Sequence, residues 1–411
     1  MKILVFCQYY YPETVGPTLF CEELVKKGND VTVVTGLPNY PSGIIDKKYK
    51  FFKNRKEIIN GVRVKRVFEF GRKKGKLHLA LNYLSYMLSS TFKSLFLGNK
   101  FDIVYCYQLS PITMALPAIV YSRIYKKKSL LYCLDLWPES LKVVGIKEEN
   151  IIFKLLDRFS KKMYNSFDRV LVSSDGFKKY LNQKHKITLP KIKYIPQFSV
   201  DYLENNLDSD RNITLNNTQC INFVFAGNCG FAQNLERLLK AIKNLKYESG
   251  INKSFKLHIA GDGANLENLK KLVTEYNIEN EVKFYGFLQK DKLMELYNVA
   301  DATLVTLTNE SSVGSTLPLK LISYMSLGKP IFASLSGDVA ELLKREKIAI
   351  VVDEHENALE DKMKDFINNK AKYSLYGKNA RNYYEENFRI DTFLEKMLNE
   401  FELILGGKEN V

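Results

Sequence analysis

The chain has 411 residues, with 61 Lys and Arg against 46 Asp and Glu, which gives a formal charge of +15. That length predicts two domains, or three small ones. A hydrophobic fraction of 45% with 11 prolines and 22 glycines excludes disordered, collagen-like and low-complexity classes. Six cysteines without a Cys-x-x-Cys pair indicate reduced, buried thiols of a cytosolic protein, and four scattered histidines argue against a zinc centre.

The charge is concentrated in the first half of the chain. Residues 1–200 carry 35 basic and 15 acidic side chains, whereas residues 201–411 carry 26 and 31. A basic half indicates that this part of the molecule faces something anionic. The basic residues alternate with strand patterns and form no nucleic-acid-binding signature, which favours a membrane surface or phosphate groups over nucleic acid. Charge that serves only solubility is the alternative.

Apolar runs alternate with helical patterns in the first half. The first run, Lys2–Cys7, is too short for a secretory signal and predicts a buried strand. Further strands are predicted at Asp30–Thr35, Val62–Phe68, Ile103–Tyr107, Ser129–Cys133, Arg169–Ser173 and Lys193–Ile195. Helices are predicted at Thr18–Lys27, Leu77–Leu97, Thr113–Lys126 and Phe153–Asn165. Such alternation predicts a parallel sheet covered on both faces.

The helix predicted at Leu77–Leu97 is the nearest candidate for a membrane element. Polar residues interrupt it, so it lacks the roughly 18 uninterrupted apolar residues of a spanning helix. A basic cluster, Arg72-Lys73-Lys74 with Lys76, comes directly before it. Basic residues leading into an amphipathic, aromatic-containing helix are typical of an element that lies on a membrane surface. An ordinary, partly buried helix with a solvated basic flank is the alternative.

A polar stretch rich in Asn and Asp, residues 201–219, is the best candidate linker. The alternation restarts after it. Strands are predicted at Ile221–Ala226, Phe255–Ala260, Val282–Tyr285, Ala302–Leu307, Pro330–Ala333 and Ile348–Val352. Helices are predicted at Asn234–Leu245, Leu266–Tyr276, Lys290–Asn298 and Leu317–Ser326, and one long terminal helix at Lys378–Leu405.

The economical interpretation is an α/β protein of two facing Rossmann-like domains, with a ligand cleft between the carboxyl ends of the two sheets. The expected boundaries are 1–198 for an N-terminal domain and 199–219 for a linker. A second domain is expected at 220–377, followed by a C-terminal helix, 378–411, that crosses back to the first domain. Fold alone does not determine chemistry, so the site has to be inferred from the loops.

Glycine-containing loops run from predicted strands into helices at two places. Gly16 follows the first strand, and Gly227-Asn228-Cys229-Gly230 follows the first strand of the second half. Glycine lets the backbone approach a ligand, and a helix start offers free N–H groups, so both loops are candidate phosphate sites. A structural turn is the alternative at Gly16, and Gly261-Asp262-Gly263 is interpreted as mainly structural. Neither candidate loop has the G-x-G-x-x-G fingerprint, which argues against NAD or FAD.

Two charged residues are candidates for the chemistry. Lys320 lies in the first turn of a predicted helix after a loop of small residues, where its ammonium could neutralise a departing phosphate. A solvated lysine at a helix cap is the alternative. Asp135 lies just past a buried strand in Asp135-Leu136-Trp137-Pro138-Glu139-Ser140, where a carboxylate can orient a hydroxyl or act as a base, and Glu139 is interpreted as a helix cap.

At these loops the sequence resembles family 4 of the retaining glycosyltransferases, which have the two-domain GT-B fold. It lies near the branch of O-antigen, colanic-acid and capsule sugar transferases that includes the fucosamine transferases. The motifs of the first half are Tyr10-Tyr11-Pro12 with Gly16, the run from Asp30 to Gly43, and Asp135–Ser140. Those of the second half are Gly227–Gly230 with Gln233, Gly261-Asp262-Gly263, Phe284-Tyr285-Gly286, Leu317-Pro318-Leu319-Lys320 and Tyr324–Pro330.

The resemblance implies a nucleoside-diphosphate sugar bound mainly by the second domain and an acceptor bound by the first, with no metal or other cofactor. By position, Gly16 would approach the donor phosphates and Lys320 would contact the diphosphate. Tyr285, Gly286 and Phe287 would flank the base.

The same resemblance implies how the leaving diphosphate is held. The loop amides of Ser315, Thr316 and Leu317 and the helix start after Gly230 would stabilise it together with Lys320. Asp135 would help to place the acceptor. The expected reaction is transfer of a sugar, with retention, to a polyprenyl-diphosphate-linked glycan in capsule or O-antigen assembly. The protein would be cytoplasmic and peripheral on the inner face of the plasma membrane.

The sequence departs from the family pattern at four positions. Many members have two glutamates where this chain has Ser315 and Ser323, and Arg and Lys where it has Asn228 and Gln233. Serine is a weaker acceptor than a carboxylate for the ribose hydroxyls expected near Ser323. A catalytically weakened homologue that serves as a membrane-associated assembly partner is therefore an alternative. A nucleotide-sugar epimerase of the same two-domain plan is a third.

Overall fold

The computed structural model describes residues 1–13, 16–40, 42–51, 53–73, 75–201, 220–308, 317–352 and 358–406. It divides into two units. The first comprises Met1–Pro196 together with Ile390–Val411, and the second comprises Gln197–Arg389.

The first unit is built on an eight-stranded sheet in the order β3-β4-β2-β1-β5-β6-β7-β8. Its strands are β1 (Lys2–Phe6), β2 (Asp30–Thr35), β3 (Lys56–Ile59), β4 (Val62–Arg66), β5 (Ile103–Gln108), β6 (Lys128–Cys133), β7 (Arg169–Val172) and β8 (Ile192–Tyr194). Its first five helices are α1 (Gly16–Lys26), α2 (Lys76–Ser94), α3 (Leu116–Ile124), α4 (Ile151–Asn165) and α5 (Asp175–Gln183). All strand pairs are parallel except β3 with β4.

The second unit has a six-stranded, wholly parallel sheet in the order β11-β10-β9-β12-β13-β14. Its strands are β9 (Cys220–Ala226), β10 (Ser254–Ala260), β11 (Val282–Gly286), β12 (Ala302–Thr306), β13 (Ile331–Ser334) and β14 (Ile350–Val351). Its helices are α6 (Leu235–Tyr247), α7 (Leu266–Glu275), α8 (Lys290–Val299), α9 (Leu319–Ser326), α10 (Asp338–Arg345), α11 (Ala358–Asn369) and α12 (Ser374–Asn387).

The central strands are buried on both faces, which explains their continuous apolar runs. Every residue of β5 and β12 is buried, because helices cover a parallel sheet on each side. Local signals also set the helix starts. Asn150 caps α4 by accepting the Ile152 N–H at 2.8 Å, and Ser174 caps α5 by accepting the Gly176 N–H at 3.2 Å.

The prediction of one terminal helix over Lys378–Leu405 is wrong. Two helices occupy this region, since α12 ends at Asn387 and α13 spans Ile390–Leu405. The Phe388 carbonyl accepts the Ser199 N–H at 3.2 Å and so leaves the helical ladder. Consequently α12 belongs to the second unit, and only α13 belongs to the first.

The last helix completes the core of the first unit. Phe393 of α13 packs its ring on Phe20 and Tyr132, each with a centroid separation of 5.4 Å. Phe401 lies 5.7 Å from Tyr105. These rings are buried, so α13 contributes apolar side chains to the core of the first unit.

All six cysteines lie in the described ranges and are unpaired thiols, five of them buried. Burial raises the pKa values of the thiols of Cys7, Cys106 and Cys133. The thiols therefore stay protonated at neutral pH and behave as small apolar side chains.

Candidate functional site

The loops that follow β9 and β10 lie against each other at the carboxyl edge of the second sheet. The Gly227 N–H donates to the Ala260 carbonyl at 2.9 Å, and the Cys229 N–H donates to the Asp262 carbonyl at 2.9 Å. Because the carboxyl ends of parallel strands share one edge, ligands of such sheets bind beside these loops. The predicted Gly227–Gly230 loop therefore lies at the ligand-binding edge of this sheet, in contact with the loop after β10.

Glycine is required where the two loops cross. A Cβ atom on Gly261 would lie 1.8 Å from the Gly227 carbonyl oxygen, and Gly261 has a φ of +137°. A Cβ atom on Gly263 would lie 2.5 Å from Oδ1 of Asn228. The structural interpretation of Gly261-Asp262-Gly263 thus has a physical basis, since its backbone supports the loop after β9.

Lys320 lies in the first turn of α9 and points at the same loop. Its ammonium donates to Oε1 of Gln233 and lies 4.1 Å from the ring centroid of Phe225. A Cβ atom on Gly227 would lie 3.0 Å from Lys320 Nζ. The ammonium is therefore in contact with the end of β9, and the alternative of a solvated helix-cap lysine does not hold.

The charge of Lys320 is not balanced within the described part of the chain. No carboxylate there lies within ion-pair distance of its ammonium, and its hydrogen-bond partner is a neutral amide. Burial lowers the pKa of Lys320 to about 8. A buried cation with only neutral neighbours is unfavourable, and a bound anion would relieve that penalty.

Gln233 is held in position by its backbone. The short turn Phe231–Gln233 is tied to the end of β12, because the Thr306 hydroxyl donates to the Gln233 carbonyl at 2.5 Å. The Thr308 N–H donates to the Ala232 carbonyl at 3.1 Å. The sequence predicted Lys320 and Gln233 for the same site from separate motifs, and the structure brings them into direct contact.

Tyr324 follows Lys320 by one turn of α9, and the sequence motifs did not identify it as a site residue. Its buried hydroxyl accepts the Ala226 N–H at 2.8 Å and donates to the Ala226 carbonyl at 3.2 Å. The described pairing of β9 with β12 ends at Val224, so the phenol replaces the missing strand neighbour. Tyr324 thereby fixes α9, and with it Lys320, on the end of β9.

Ser323 points away from Ala226. Its hydroxyl lies 2.8 Å from the Ser199 hydroxyl and donates to the Leu319 carbonyl at 3.1 Å. The Tyr384 hydroxyl in turn donates to the Ser199 carbonyl at 2.9 Å. Ser323 is therefore bonded to the segment that enters the second unit.

Tyr285, Gly286 and Phe287 lie at the end of β11 and differ in accessibility. The Tyr285 hydroxyl lies 2.8 Å from Nδ1 of His258, whose Nε2 lies 3.0 Å from Oδ1 of Asn222. Burial lowers the pKa of His258 to about 4, with Lys256 and Lys283 adding to the effect. Phe287 is 81% exposed, so its ring is the accessible one of the three residues.

Four other predicted site residues are Gly16, Leu317, Ser315 and Thr316. Gly16 is the first residue of α1 in the first unit. Leu317 packs partly buried beside α9 in the second. Ser315 and Thr316 lie outside the described residues.

Asp135 lies in the first unit directly after β6. Its Oδ2 accepts the Trp137 indole N–H at 3.0 Å, and its Oδ1 accepts the Ser140 hydroxyl. The same indole N–H also donates to the Ser110 hydroxyl at 2.9 Å. Glu139 is not the predicted cap, because Pro138 holds the cap position of the short helix Glu139–Val144 and no side chain caps that helix; the Glu139 carboxylate pairs with Lys142 at 2.5 Å. Asp135 is thus an oriented, half-buried carboxylate at the carboxyl edge of the first sheet.

A second carboxyl group at that edge was not predicted. Glu69 is fully buried and accepts from Nε2 of Gln8 at 3.3 Å and from Nδ2 of Asn39. Burial raises the pKa of Glu69 well above its usual range. A Cβ atom on Gly36 would lie 2.3 Å from its Oε2, so glycine makes room for the carboxyl group.

Helix α2 presents an apolar stripe to solvent. Its exposed members recur every three or four residues, which places them on one helix face. They are Leu77, Leu81, Leu84, Leu88, Phe92 and Phe96, the last lying just beyond the helix. The described helices include none with the length and hydrophobicity needed to cross a bilayer.

Two family models match successive parts of the chain. Residues 18–198 match the model described as Glycosyltransferase Family 4, and residues 207–383 match the one described as Glycosyl transferases group 1. Together they span most of both units. The chain is a glycosyltransferase.

Solved structures show that this glycosyltransferase has the GT-B fold. Sucrose-phosphate synthase from Thermosynechococcus elongatus superposes with a TM-score of 0.72 at 17% identity, covering 98% of each chain. HepE from Anabaena, solved with UDP, gives a TM-score of 0.66 at 15% identity and covers 97% of this chain and 99% of its own. The predicted α/β class with two Rossmann-like domains is confirmed.

Two curated relatives have names that refer to glycosyl transfer, one of them in polysaccharide biosynthesis. WbjE of Pseudomonas aeruginosa, named as a glycosyltransferase, is 26% identical over 59% of this chain and 58% of its own length. WcaL of Escherichia coli K12, named for colanic acid biosynthesis, is 26% identical over 29% of each chain.

Tyr324→Phe should destabilise this glycosyltransferase by about 1–3 kcal/mol, because it leaves a buried backbone N–H without its acceptor. Urea unfolding of the second unit measures the effect. Thr303→Val is the matched control, since the Thr303 hydroxyl lies in the same unit, is buried and has no hydrogen-bond partner among the described residues. Equal losses of stability in both variants would contradict the role given to Tyr324.

Proposed function

We propose that this glycosyltransferase transfers a sugar, with retention, from a nucleoside-diphosphate sugar to a lipid-linked glycan in capsule or O-antigen assembly. The observation that carries the donor assignment is the half-buried Lys320 ammonium beside the Gly227–Gly230 loop, without a negative partner among the described residues. A diphosphate supplies the missing charge. The presence of UDP in the HepE structure and the name of WcaL support the donor class and the pathway class.

Lys320 acts on the leaving group in this proposal. The bond between the anomeric carbon and the phosphate oxygen breaks, and the nucleoside diphosphate departs with that electron pair. The ammonium of Lys320 and the amides of the Gly227–Gly230 loop stabilise the resulting charge, and they do so best in a site with little water. This role requires no metal ion.

The first unit binds the acceptor. Asp135 is held by Trp137 and Ser140 so that its carboxylate has a fixed direction, and it would orient the acceptor hydroxyl. Trp137 beside it offers an aromatic surface on which a sugar ring can stack.

The test of the donor assignment is calorimetric titration with a panel of nucleoside-diphosphate sugars, followed by a transfer assay with the sugar that binds. Binding followed by acceptor-dependent transfer supports the proposal. A complete lack of nucleotide-sugar affinity would favour the non-catalytic assembly partner, and a new sugar formed from donor alone would favour an epimerase.

Ser323→Glu tests the departure from the family pattern. The glutamate would have to displace the Ser199 hydroxyl that lies 2.8 Å from Ser323. If the ribose lies near this position, the carboxylate is a stronger acceptor and should tighten nucleotide binding. Unchanged affinity in a folded variant would place the ribose elsewhere.

We also propose that α2 rests on the inner face of the plasma membrane. Support comes from its exposed apolar stripe and from the excess of basic residues in the first half of the chain. Together these features suit a surface that is both apolar and anionic.

Replacing Lys73, Lys74 and Lys76 by Gln should weaken binding to vesicles that contain phosphatidylglycerol by at least about tenfold, given about 1 kcal/mol per basic residue. Vesicle co-sedimentation at low and high salt measures this. The control carries the same change at Lys256, Lys270 and Lys271, which are exposed in the second unit. Equal sedimentation of the two variants would count against the membrane proposal.

A further inference from the structure

Arg72 is enclosed by three tyrosines in the first unit. Its guanidinium carbon lies 5.5 Å from the ring centroid of Tyr40 and 5.7 Å from that of Tyr83. Its Nη1 donates to the Tyr9 hydroxyl at 3.3 Å. Arg72 is half-buried, unlike the exposed Lys73 beside it, so it does not belong with the solvated basic cluster in which the sequence placed it.

The backbone that carries Arg72 is fixed. The Arg72 N–H donates to Oδ1 of Asn39 at 2.8 Å, and Nδ2 of Asn82 donates to the Phe70 carbonyl at 2.6 Å. A Cβ atom on Gly71 would lie 2.4 Å from the Gly43 carbonyl oxygen. The guanidinium is therefore presented by a rigid segment, as a specific binding group requires.

The positive charge of Arg72 has no carboxylate partner among the residues that the structure describes. Its only described side-chain hydrogen bond goes to a neutral phenol, and none of its nitrogen atoms is a buried, unpaired donor. The remaining N–H groups therefore reach solvent. Burial raises the pKa values of the Tyr9 and Tyr83 hydroxyls, so both stay protonated, and the Tyr9 hydroxyl donates to Oδ1 of Asn82 at 3.4 Å.

Tyr83 connects this group to the two other features of the first unit. The ring of Tyr83 contacts the Arg72 guanidinium, and the Asp135 carboxylate is among the charges that raise the pKa of the Tyr83 hydroxyl. It also lies on α2, next in sequence to the exposed Leu84 of the apolar stripe. Tyr83 thus contacts the cationic group and lies on the helix that carries the apolar stripe.

We infer that Arg72, with Tyr9, Tyr40 and Tyr83, binds a phosphate of an isoprenoid diphosphate, whose chain lies along the stripe of α2. This inference rests on the proposed function, because it places the diphosphate of the expected lipid-linked acceptor at Arg72. A guanidinium presents a planar pair of donors that matches phosphate oxygens, and stacked rings keep it in one orientation. A bulk lipid headgroup is a poorer match, because freely mobile lysines suffice for it.

The test uses geranyl diphosphate, a water-soluble isoprenoid diphosphate, titrated calorimetrically without donor or vesicles. Arg72→Gln should weaken its binding by about 10- to 100-fold, as expected for loss of charged hydrogen bonds. Arg72→Lys keeps the charge but not the planar fork, and should recover only part of the affinity. Lys53→Gln, at an exposed lysine of the first unit outside the basic cluster, is the matched control and should bind as the parent does.

Further ligands and a further variant separate the possible sources of binding. Geraniol should not bind, and inorganic pyrophosphate should bind more weakly than geranyl diphosphate, because the chain contributes. Lys320→Met should still bind geranyl diphosphate. If this variant does not bind it, the ligand occupies the donor site and the inference is overturned. Two other results would also overturn the inference. One is a loss of binding by Arg72→Gln that is seen only with phosphatidylglycerol vesicles. The other is equal affinity for geranyl diphosphate in the parent and in the folded Arg72→Gln and Arg72→Lys variants.

The inference and the proposed function can fail separately. Titration of the parent with nucleoside-diphosphate sugars tests the donor site in the second unit, and geranyl diphosphate tests Arg72 in the first. Intact donor binding with no affinity for geranyl diphosphate would remove only the isoprenoid site.

Discussion

Lys320→Met is expected to lower kcat/KM for sugar transfer by about 100- to 1,000-fold, the range found when one preorganised donor to a developing anion is removed. The ammonium lies against the end of β9 and has only the Gln233 amide as a described hydrogen-bond partner. Its charge is therefore available to a departing diphosphate. Methionine keeps the length of the side chain and its contact with Phe225, so the variant should fold.

Lys329→Met is the matched control. Burial lowers the pKa of Lys329 to about 8 as well, but its ammonium donates to the carbonyl groups of Tyr297, Asn298 and Ala300 at 2.6–2.7 Å. These bonds satisfy the end of α8 and leave no donor for a ligand. The control should lose stability and keep its turnover below its melting temperature. Undiminished transfer by Lys320→Met would remove Lys320 from the mechanism.

The pH dependence of donor binding follows from the same group. Because its pKa is about 8, the Lys320 ammonium is charged below that pH and becomes neutral above it. A diphosphate diester stays ionised throughout, so affinity for the donor should fall as pH rises from 7 to 9. Calorimetry of the parent should show this decline, and the Lys320→Met variant should bind weakly with no such slope.

The buried parallel strands were predictable because their apolar runs are continuous and fall between helical patterns. Strand β3 was missed, since Lys56-Glu57-Ile58-Ile59 is half charged and pairs antiparallel at the edge of the sheet. A local signal for it exists. Asn60-Gly61 follows at once, with φ values of 48° and 82°, and an Asn-Gly pair between two extended segments is typical of a hairpin turn.

The sequence motifs identified the residues of the candidate site but not the contacts between them. Gly227–Gly230, Gln233 and Lys320 stand out as loop glycines and a helix-start lysine after strands, so their chemistry can be inferred from residue type. The partner of each side chain cannot be inferred from residue type, because it depends on how α9 packs on β9. Tyr324 resembles an ordinary core residue in sequence, and only the end of strand pairing at Val224 explains its hydroxyl.

The same limit applies to the first unit. Arg72 was grouped with its basic neighbours because sequence adjacency cannot show that its guanidinium lies 5.5 Å from the ring centroid of Tyr40 and 5.7 Å from that of Tyr83. Glu69 has no motif at all. Its burial depends on Gly36 of another strand end and on amide groups from two separate segments, those of Gln8 and Asn39.

Gly261→Ala is expected to destabilise the second unit by about 2–5 kcal/mol, the sum of a strained backbone conformation and an overpacked contact. The added methyl group would lie 1.8 Å from the Gly227 carbonyl oxygen, at a residue with a φ of +137°. The backbone carbonyl of Gly227 cannot move aside as the end of a flexible side chain can. The loop after β9 must shift, and a displacement of about 1 Å at a catalytic loop can lower turnover about 100-fold.

Gly286→Ala separates the two causes. Gly286 lies at the end of the neighbouring strand with a φ of +65°, and no atom lies within 4 Å of the added methyl group. It should therefore lose only about 1 kcal/mol, from the left-handed backbone alone. Urea unfolding and donor titration of both variants measure the difference. Equal destabilisation would mean that the close approach of the two loops is not what requires glycine at residue 261.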